Sequence, residues 1–257
     1  MRLTFLGTGT SFGIPQLGCP CAVCRSTDPR DRRGRSGAVV DDGATRILID
    51  TPPELRVALI RERIGAVSAV LYTHDHADHT HGIDDLRALS GGARGPLPIF
   101  GPKDAIERMA VKFAYVFDPL AHQIPGSART NVSAHALEEG REARIGSIPV
   151  LPLAFPHGPT TTFGYRFGKL AYLTDVKTVS PEARDALAGV ELLVLGALFR
   201  RPHPTHLSIP EAVETARAIG ARRTCLTHLT HETGHAELAR ELPADVQPAY
   251  DGLVIEV

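Results

Sequence analysis

The chain has 257 residues, with a hydrophobic fraction of 43% and a charged fraction of 22%, which are ordinary values for a globular protein. Its formal net charge of −1 gives no general attraction to nucleic acid or to an acidic membrane surface. No apolar run approaches the ~20 residues of a membrane span, and the first residues lack the apolar region and cleavage site of a signal peptide. We therefore expect a cytoplasmic protein without membrane contact.

The first predicted strand, residues 3–6, ends in a glycine-rich turn, Gly-Thr-Gly-Thr-Ser at 7–11. Glycine permits a tight turn and a close approach of the backbone to a ligand. The spacing does not match a phosphate-binding P-loop, which also needs a lysine.

Three of the four cysteines follow as a Cys-x-Cys-x-x-Cys segment, Cys19, Cys21 and Cys24. Thiolates at this spacing can bind one soft metal ion, and zinc fits best; free thiols in a loop are the alternative. A tetrahedral site needs a fourth ligand, which no neighbouring residue supplies, so a distant histidine is expected. Cys225 lies inside a later predicted strand and is interpreted as a buried apolar thiol.

The next stretch, residues 25–35, contains five arginines and two aspartates. It is either a phosphate-facing basic loop or a solvated loop whose arginines pair with Asp28 and Asp31 or cover the cysteine segment, and we favour the second interpretation. Strands at 36–40 and 45–50, joined by Asp-Asp-Gly, predict a hairpin. Asp50 ends the second strand and is expected to steady a metal site nearby. A helix is predicted from Pro52 to about Ile64.

The most informative segment is Thr-His-Asp-His-Ala-Asp-His at 73–79, which contains four metal-ligand side chains: His74, His76, Asp78 and His79. An apolar run at 66–72 predicts a buried strand before it, and residues 82–89 have helical spacing. On such a strand-to-helix turn the ligands can converge, with a geometry that suits two adjacent metal ions rather than one. A histidine-rich loop arising by chance is the alternative.

Asp84 and Asp85 on the following helix either support a metal-bound histidine as hydrogen-bond acceptors or belong to a solvated face. Residues 118–146 carry little pattern, and His122 and His135 have no ligand partners nearby. His235 is expected on the surface. The remaining elements are predicted as strands at 97–100, 147–155, 163–167, 170–174, 190–195, 222–227 and 253–257, and helices at 102–117, 180–187 and 209–219.

An isolated His157, Asp175 and His228 each follow the end of a predicted strand. Together with the early Gly-Thr-Gly and the His-x-His-x-Asp-His motif, they resemble the metallo-β-lactamase superfamily over residues 7–231. The resemblance implies a single domain, residues 1–257, with an α/β (α+β layered) four-layer αββα sandwich and metals at one edge. It also implies a first ion held by His74, His76 and His157, a second held by Asp78, His79 and His228, and Asp175 bridging both.

Within that superfamily, the cysteine loop at about 18–35, followed late by Thr-His-x-x-His at 227–231, resembles the PhnP-like cyclic phosphodiesterases. The resemblance implies that His231 completes a structural zinc site with the three cysteines. It also implies that His206, in Thr-His-Leu-Ser, acts as general acid or phosphate contact. Arg200 and His203, in the same loop, are candidates for substrate binding.

The expected reaction is hydrolysis of a small, cyclic ribose-type phosphodiester. Two divalent ions, Zn or Mn, ~3.5–4 Å apart lower the pKa of a bridging water, supply hydroxide and offset developing charge. Asp78 is counted with His206 among the catalytic residues, and the cysteine site is expected to prefer zinc. The expected partner is a small-molecule substrate rather than nucleic acid, and the expected assembly is a homodimer.

Three alternatives share these residues. Ribonuclease Z has the same ligands and an equivalent late histidine, but in many bacterial forms it carries a tRNA-clamping arm after the third-histidine position. Here only 17 residues separate His157 from Asp175, and the near-neutral charge disfavours a large RNA. Another hydrolase of this fold, acting on a β-lactam or a thioester, is the second alternative. A zinc-binding interaction module with an idle site is the third.

Overall fold

The computed structural model describes residues 1–91, 95–118 and 129–257. The strands in these ranges are β1 (Arg2–Gly7), β2 (Gly37–Asp41), β3 (Arg46–Ile49), β4 (Ala69–Leu71), β5 (Leu97–Pro102), β6 (Val132–Leu137), β7 (Ala143–Ile145), β8 (Ile148–His157), β9 (Thr160–Phe167), β10 (Leu170–Leu173), β11 (Leu192–Gly196), β12 (Arg223–Thr227), β13 (Val246–Pro248) and β14 (Val254–Glu256). The α-helices are α1 (Leu55–Arg61), α2 (Ala77–Thr80), α3 (Lys103–Lys112), α4 (Ala114–Phe117), α5 (Pro181–Ala186), α6 (Ile209–Ile219) and α7 (His235–Glu241). Short 3-10 helices span Pro29–Asp31 and Ile83–Ala88.

The strands form two mixed sheets, in the orders β14-β1-β2-β3-β4-β5-β6 and β13-β12-β11-β10-β9-β8-β7. In the first sheet β3, β4, β5 and β6 run parallel, and in the second β10, β11, β12 and β13 run parallel. Antiparallel hairpins extend each parallel half. Parallel strands place all of their carboxyl ends at one edge, which is where ligands of such sheets usually bind.

Three hydrophobic cores separate four layers. The central core packs the inner faces of both sheets, with Phe5, Val40 and Ile49 against Tyr165 and Val194. The second core packs the outer face of the first sheet against α1, α3 and the second 3-10 helix. The third packs the outer face of the second sheet against α5, α6 and α7. The αββα sandwich expected from the sequence is therefore confirmed.

Local sequence signals explain several element boundaries. Ser208 begins α6 with a reciprocal capping box to Glu211, and Gly220 ends it in the left-handed conformation. The Ser180 hydroxyl accepts from the Ala183 N–H at the start of α5. Asp42 accepts from the Thr45 N–H in the turn between β2 and β3, so the predicted hairpin is confirmed.

Several other elements differ in detail from the expectation or add to it. The nearly patternless stretch 118–146 contains β6 and β7, the outermost strands of the two sheets, where one-sided pairing leaves a weak hydrophobic signal. The helix expected at 102–117 is broken at Phe113, whose φ and ψ are −119° and 42°. Residues 83–88 form a 3-10 helix rather than an α-helix. His135 is exposed beside Phe100, and His122 lies outside the described residues.

The cysteine loop is tied to the end of the chain by a buried polar network. The Arg33 guanidinium donates to Thr8 Oγ1 at 3.0 Å and to the Ala249 carbonyl, and lies 3.4 Å from His235 Nδ1. The His235 N–H donates to the Asp31 carboxylate at 2.6 Å. His235 is thus buried rather than on the surface, because Arg33 and the Tyr250 ring enclose it. None of the described helices is long and apolar enough to cross a bilayer.

Burial and, to a smaller extent, the nearby positive charge of Arg33 lower the pKa of His235 to about 4. The unfolded chain binds this proton near pH 6.5, so between pH 6.5 and 4 acid favours unfolding. We expect wild type to lose about 2 kcal/mol more stability than His235→Gln between pH 7 and 4.5, measured by urea unfolding. His135→Gln, at an exposed position, should follow wild type. Equal losses in wild type and His235→Gln would contradict the buried neutral state.

Candidate metal centre

Five potential ligands or supporting residues lie at strand ends on one edge of the sandwich. Asp50 follows β3, Asp175 lies just beyond β10, His228 follows β12, and His157 is the last residue of β8. His74 lies just beyond β4, where the Phe163 N–H donates to the carbonyl of the preceding Thr73 at 2.8 Å. This bond joins the two sheets directly at the start of the histidine motif.

The backbone at this edge is unusual. Asp50, Asp175 and His228 have φ angles of 60°, 56° and 57°, in the left-handed region that side-chain-bearing residues rarely adopt. Arg63 is the other described non-glycine residue with a positive φ. Such conformations cost of order 1–3 kcal/mol each and concentrate at functional sites, so their coincidence here indicates a site shaped by function.

The first ligand group consists of His74, His76 and His157. Their ring centroids are 4.5 Å (His74 to His76), 5.2 Å (His74 to His157) and 5.0 Å (His76 to His157) apart. One nitrogen from each ring lies within 4.8 Å of the others. The structure therefore brings together the three histidines that the resemblance assigns to one ion.

The second group consists of Asp78, His79 and His228, whose ligand atoms also lie within 4.8 Å of one another. Asp175 lies between the groups: its Oδ2 is 3.3 Å from His79 Nε2 and its Oδ1 is 3.3 Å from His228 Nε2. The Asp175 carboxylate also forms a ligand-distance group with His74 and His79. This position is the one that a bridging carboxylate requires.

Neighbouring groups fix the ring orientations. His79 Nδ1 donates to Asp50 Oδ2 at 2.7 Å, and His157 Nδ1 donates to the Thr205 carbonyl at 3.2 Å. Thr73 Oγ1 donates to Asp50 and lies 2.9 Å from His74 Nδ1, so it accepts from that nitrogen. With Nδ1 engaged, Nε2 carries the free lone pair that a metal ion needs.

The donor set fits divalent cations. His74 Nε2, His79 Nε2 and both ring nitrogens of His228 are buried without a hydrogen-bond partner among the described residues, and such orphan groups are costly unless something binds them. Burial would raise the pKa of Asp78 and Asp175, but nearby histidines hold both well below the usual range. Buried imidazole and carboxylate ligands of this kind suit Zn or Mn.

Asp75, between the first two histidines of the motif, anchors this turn to α3. Its carboxylate accepts from Arg108 Nε at 2.9 Å and from Lys112 Nζ, and Lys112 also donates to the Asp75 carbonyl at 2.7 Å. Asp75 itself is 5% exposed, whereas the Arg108 and Lys112 side chains are 40% and 42% exposed. These contacts tie the turn that carries His74 and His76 to α3.

The loop after β11 places some, but not all, of its candidate residues beside the histidine cluster. His206 Nδ1 is 3.6 Å from Asp175 Oδ1, and the His206 ring stacks on His228 with centroids 5.0 Å apart. His203 lies behind it, with centroids 5.2 Å apart. Arg200 does not join them: its guanidinium pairs with Glu241 at 2.6 Å and donates to Thr233 at 3.0 Å. The structure therefore does not bring Arg200, expected as a substrate contact, to the histidine cluster.

The cysteine segment forms a second candidate site. His231 Nδ1 is 3.3, 3.4 and 3.6 Å from the sulfurs of Cys19, Cys21 and Cys24. The Cys24 N–H donates to Cys21 Sγ and lowers the pKa of that thiol to about 6, whereas burial raises the pKa of Cys24 to about 11. Three sulfurs and an imidazole nitrogen within 4.8 Å match tetrahedral zinc.

Asp84, Asp85 and Asp50 were the candidates for a carboxylate that accepts a hydrogen bond from a ligand histidine. Asp84 pairs with Arg87 at 2.8 Å, and Asp85 accepts from the Arg56 N–H at 3.2 Å, so neither supports a ligand. Asp50 does so, as its place at a strand end had indicated. The Asp75 clamp was missed, because its partners lie 33 and 37 residues away on α3.

We expect Asp50→Asn to weaken zinc binding at the histidine cluster about 10–100-fold, because His79 loses the charged acceptor that orients it. Competition with a chromophoric chelator measures this affinity. Asp84→Asn, at a surface ion pair, is the matched control and should bind zinc like wild type. Equal effects of the two variants would show that Asp50 does not act through His79.

We expect Cys21→Ala to lose one metal ion per chain and to unfold at a lower temperature, because structural zinc contributes directly to folding. Metal analysis and thermal unfolding measure the two effects. Cys225→Ala, at the buried thiol in β12, should retain the full metal content. Retention of every ion by Cys21→Ala would contradict a metal-binding role for the cysteine segment.

Comparisons with known proteins agree with this geometry. The family model described as "Beta-lactamase superfamily domain" matches residues 45–229. An octanoyltransferase from Porphyromonas gingivalis is 34% identical over 256 residues, which cover 98% of this chain but only 51% of that protein. The chain thus spans about half the length of that relative. Ribonuclease Z from Myxococcus xanthus is 28% identical over 322 aligned positions, covering 100% of this chain and 98% of that enzyme.

Among solved structures, one described as a new diphosphatase from the PhnP family is 37% identical, with a TM-score of 0.90. The match covers 100% of this chain and 97% of that one. It therefore includes the cysteine segment as well as the histidine cluster. The chain belongs to the metallo-β-lactamase superfamily of metal-dependent hydrolases, and within it the chain resembles the PhnP family.

Proposed function

We propose that the protein is a dinuclear-metal phosphodiesterase that hydrolyses a small, cyclic ribose-type phosphodiester within a single domain. The observation that carries this proposal is the pair of adjacent ligand groups, with Asp175 within ligand distance of His74 and His79, one residue from each group, and His206 beside the Asp175 carboxylate. Two ions held by these adjacent groups would suit a phosphoryl group, because its non-bridging oxygens could contact both ions.

The seven side chains His74, His76, Asp78, His79, His157, Asp175 and His228 would hold two ions, Zn or Mn. When bound, such ions supply Lewis acidity and an activated water. The protein contributes ligand orientation through Asp50, Thr73 and Asp75. Cys19, Cys21, Cys24 and His231 would hold a structural zinc apart from the reacting atoms.

His206 is suited to act on the phosphate or the leaving oxygen. Burial, opposed by Asp175, lowers its pKa to about 3, so the imidazole is neutral at pH 7 and its N–H can donate to a phosphate oxygen. An anionic substrate raises that pKa, because nearby negative charge favours the protonated form. The protonated form, which the Asp175 carboxylate and a bound phosphate would both favour, could give its proton to the departing alkoxide.

An RNA substrate is disfavoured. The 17 residues between His157 and Asp175 are almost fully used by β9, a two-residue turn and β10, which leaves no room for a clamping arm at this position. The formal net charge of −1 also disfavours long RNA, because binding its phosphate backbone normally requires many basic side chains. We therefore retain a small-molecule substrate, although ribonuclease Z is similar over the whole chain.

Hydrolysis of a diphosphate is the second candidate, and the diphosphatase of the PhnP family that is 37% identical to this chain favours it. A phosphoanhydride and a phosphodiester present the same non-bridging oxygens to the ions and differ in the leaving group. A phosphate leaving group needs no proton from His206, because the pKa of the departing phosphate is far below that of an alcohol. The candidates therefore differ in their dependence on His206.

Metal analysis combined with three substrates tests the proposal: bis(p-nitrophenyl) phosphate, a ribose 2′,3′-cyclic phosphate and a nucleoside diphosphate. We expect three ions per chain and turnover of both diesters. Turnover of the diphosphate alone would replace the proposal with the second candidate. A full complement of metals without any phosphate hydrolysis would favour a thioester hydrolase or an idle binding module.

We expect His206→Ala to lower kcat for the cyclic diester about 10²–10⁴-fold, the usual contribution of a positioned general acid, while metal content stays at the wild-type value. His76→Ala, which removes a ligand, should instead lose a metal ion. Steady-state kinetics and metal analysis separate the two variants. Loss of metal in His206→Ala would mean that His206 is itself a ligand.

A further inference from the structure

A groove of about 460 Å3 lies between helix α1 and the loop that follows β1. Its lining comes from three segments, within residues 12–17, 32–35 and 54–61, together with Leu6 and Asp251. None of its described lining residues is one of the candidate metal ligands. The groove is therefore a surface feature distinct from both ligand clusters.

Most of the exposed apolar side chains lie on this groove and on the adjoining face of α1. The described chain exposes seven large apolar side chains, and four of them are here: Phe12 (66%), Leu17 (97%), Val57 (62%) and Ile60 (62%). The first three line the groove, and Ile60 follows Val57 by three residues on α1. Single exposed apolar residues are ordinary, but a cluster of them marks a surface that another molecule covers.

The same surface is positively charged. Four arginines and two carboxylates line the groove, although the whole chain has a formal net charge of −1. Glu54 pairs with Arg35, and the Asp251 carboxylate accepts from the Thr8 hydroxyl and the Gly34 N–H. Both acids of the groove are thus already engaged within the chain.

Three exposed arginines at this surface have no partner. Arg32 lines the groove, Arg56 lies in the first turn of α1, and Arg63 lies just beyond the end of that helix. No ion pair or side-chain hydrogen bond joins their guanidinium groups to another described residue. The exposed face of α1 therefore presents the apolar pair Val57 and Ile60 between two unpaired cations. An acidic surface with an apolar ridge is complementary to it in both charge and polarity.

Other candidate occupants match this surface less well. A second copy of the chain, docked through the same face, would bring the unpaired arginines against one another, and like charges across an interface are unfavourable. A bilayer surface is flat and cannot fill a groove. Nucleic acid would leave the aliphatic side chains without apolar partners. An amphipathic helix can lay its apolar face into the groove while its acidic residues reach the arginines.

We propose that this groove docks an acidic amphipathic helix of a partner protein. Leu17, Val57 and Ile60 contact its apolar face, and the three unpaired arginines pair with its carboxylates. Phe12 lines both the groove and the cavity of about 250 Å3 that contains His206 and His228. The partner would therefore lie beside the candidate metal centre. The proposal does not depend on which bond that centre hydrolyses.

Two synthetic helical peptides labelled with fluorescein test the proposal. Both carry leucine along one face, and the other face carries glutamate in one peptide and glutamine in its control. By fluorescence anisotropy at low salt, we expect the metal-loaded protein to bind the glutamate peptide about 3- to 150-fold more tightly, the range for three exposed ion pairs. High salt should remove most of this difference. Equal Kd values, or no binding of either peptide, would overturn the proposal.

Variants locate the bound peptide. Ile60→Asp should raise the Kd of the glutamate peptide about tenfold or more, because it removes an apolar contact and adds a like charge. Arg32→Gln should raise it about 1.5- to 5-fold. Val111→Asp on α3 and Arg217→Gln on α6 are the matched controls, since both residues are exposed and neither lines the groove. Wild-type binding by both groove variants would overturn the assignment of the groove.

Two further measurements test the other occupants. In sedimentation velocity of the protein alone, a dimer that Ile60→Asp dissociates and Val111→Asp preserves would assign this face to a second copy and overturn the proposal. Cosedimentation with phosphatidylglycerol vesicles that Ile60→Asp abolishes would assign it to a membrane, with the same consequence. We expect neither dependence on Ile60, together with specific binding of the glutamate peptide.

Discussion

Three carboxylates, those of Asp50, Asp78 and Asp175, all lie within 4 Å of the buried His79, and those of Asp78 and Asp175 also lie within 4 Å of His228. No lysine or arginine of the described chain forms an ion pair with them. Buried charges of one sign are stable only when cations compensate them. Burial would lower the pKa of His79, but these three acids raise it well above its usual value. The clustered carboxylates would therefore be stabilised by bound cations, and the sheet edge brings their ligands together.

The fold meets this demand through the two parallel halves of its sheets. Their carboxyl ends meet at one edge, so residues from distant parts of the sequence converge without long loops. The sandwich core holds the strands rigidly, and bonds such as Tyr165 Oη to the Tyr72 carbonyl at 2.5 Å fix one sheet against the other. The strained backbone at Asp50, Asp175 and His228 is tolerated because those strands are fixed.

Much of the site could be predicted because its signal is local in sequence. The histidine motif and the cysteine segment each place several ligands within seven residues, and strand ends flanked His157, Asp175 and His228. Supporting contacts were harder to predict, since they depend on tertiary packing. Sequence alone could not decide whether Asp84 and Asp85 support a ligand histidine or lie on a solvated helix face. It also gave no sign that Arg108 pairs with Asp75.

The edge strand β6 and the burial of His235 could not be predicted from the sequence, for related physical reasons. A strand at a sheet edge buries only part of one face, so β6 shows an exposed stretch that resembles a loop in sequence. His235 is polar and stands at a helix start, which favours a surface position. Arg33, more than 200 residues earlier, encloses it, and a single sequence carries no mark of that contact.

One short turn connects the two metal sites. His228 follows β12 at the histidine cluster, and His231, three residues later, reaches the cysteine sulfurs. The Gln16 N–H donates to Cys24 Sγ at 3.3 Å, so the cysteine cluster also contacts the loop after β1. A metal ion bound by the cysteines would therefore do more than stabilise the fold. It would hold both the backbone beside His228 and the loop that contains Gln16, so the two ligand clusters are coupled through short stretches of backbone.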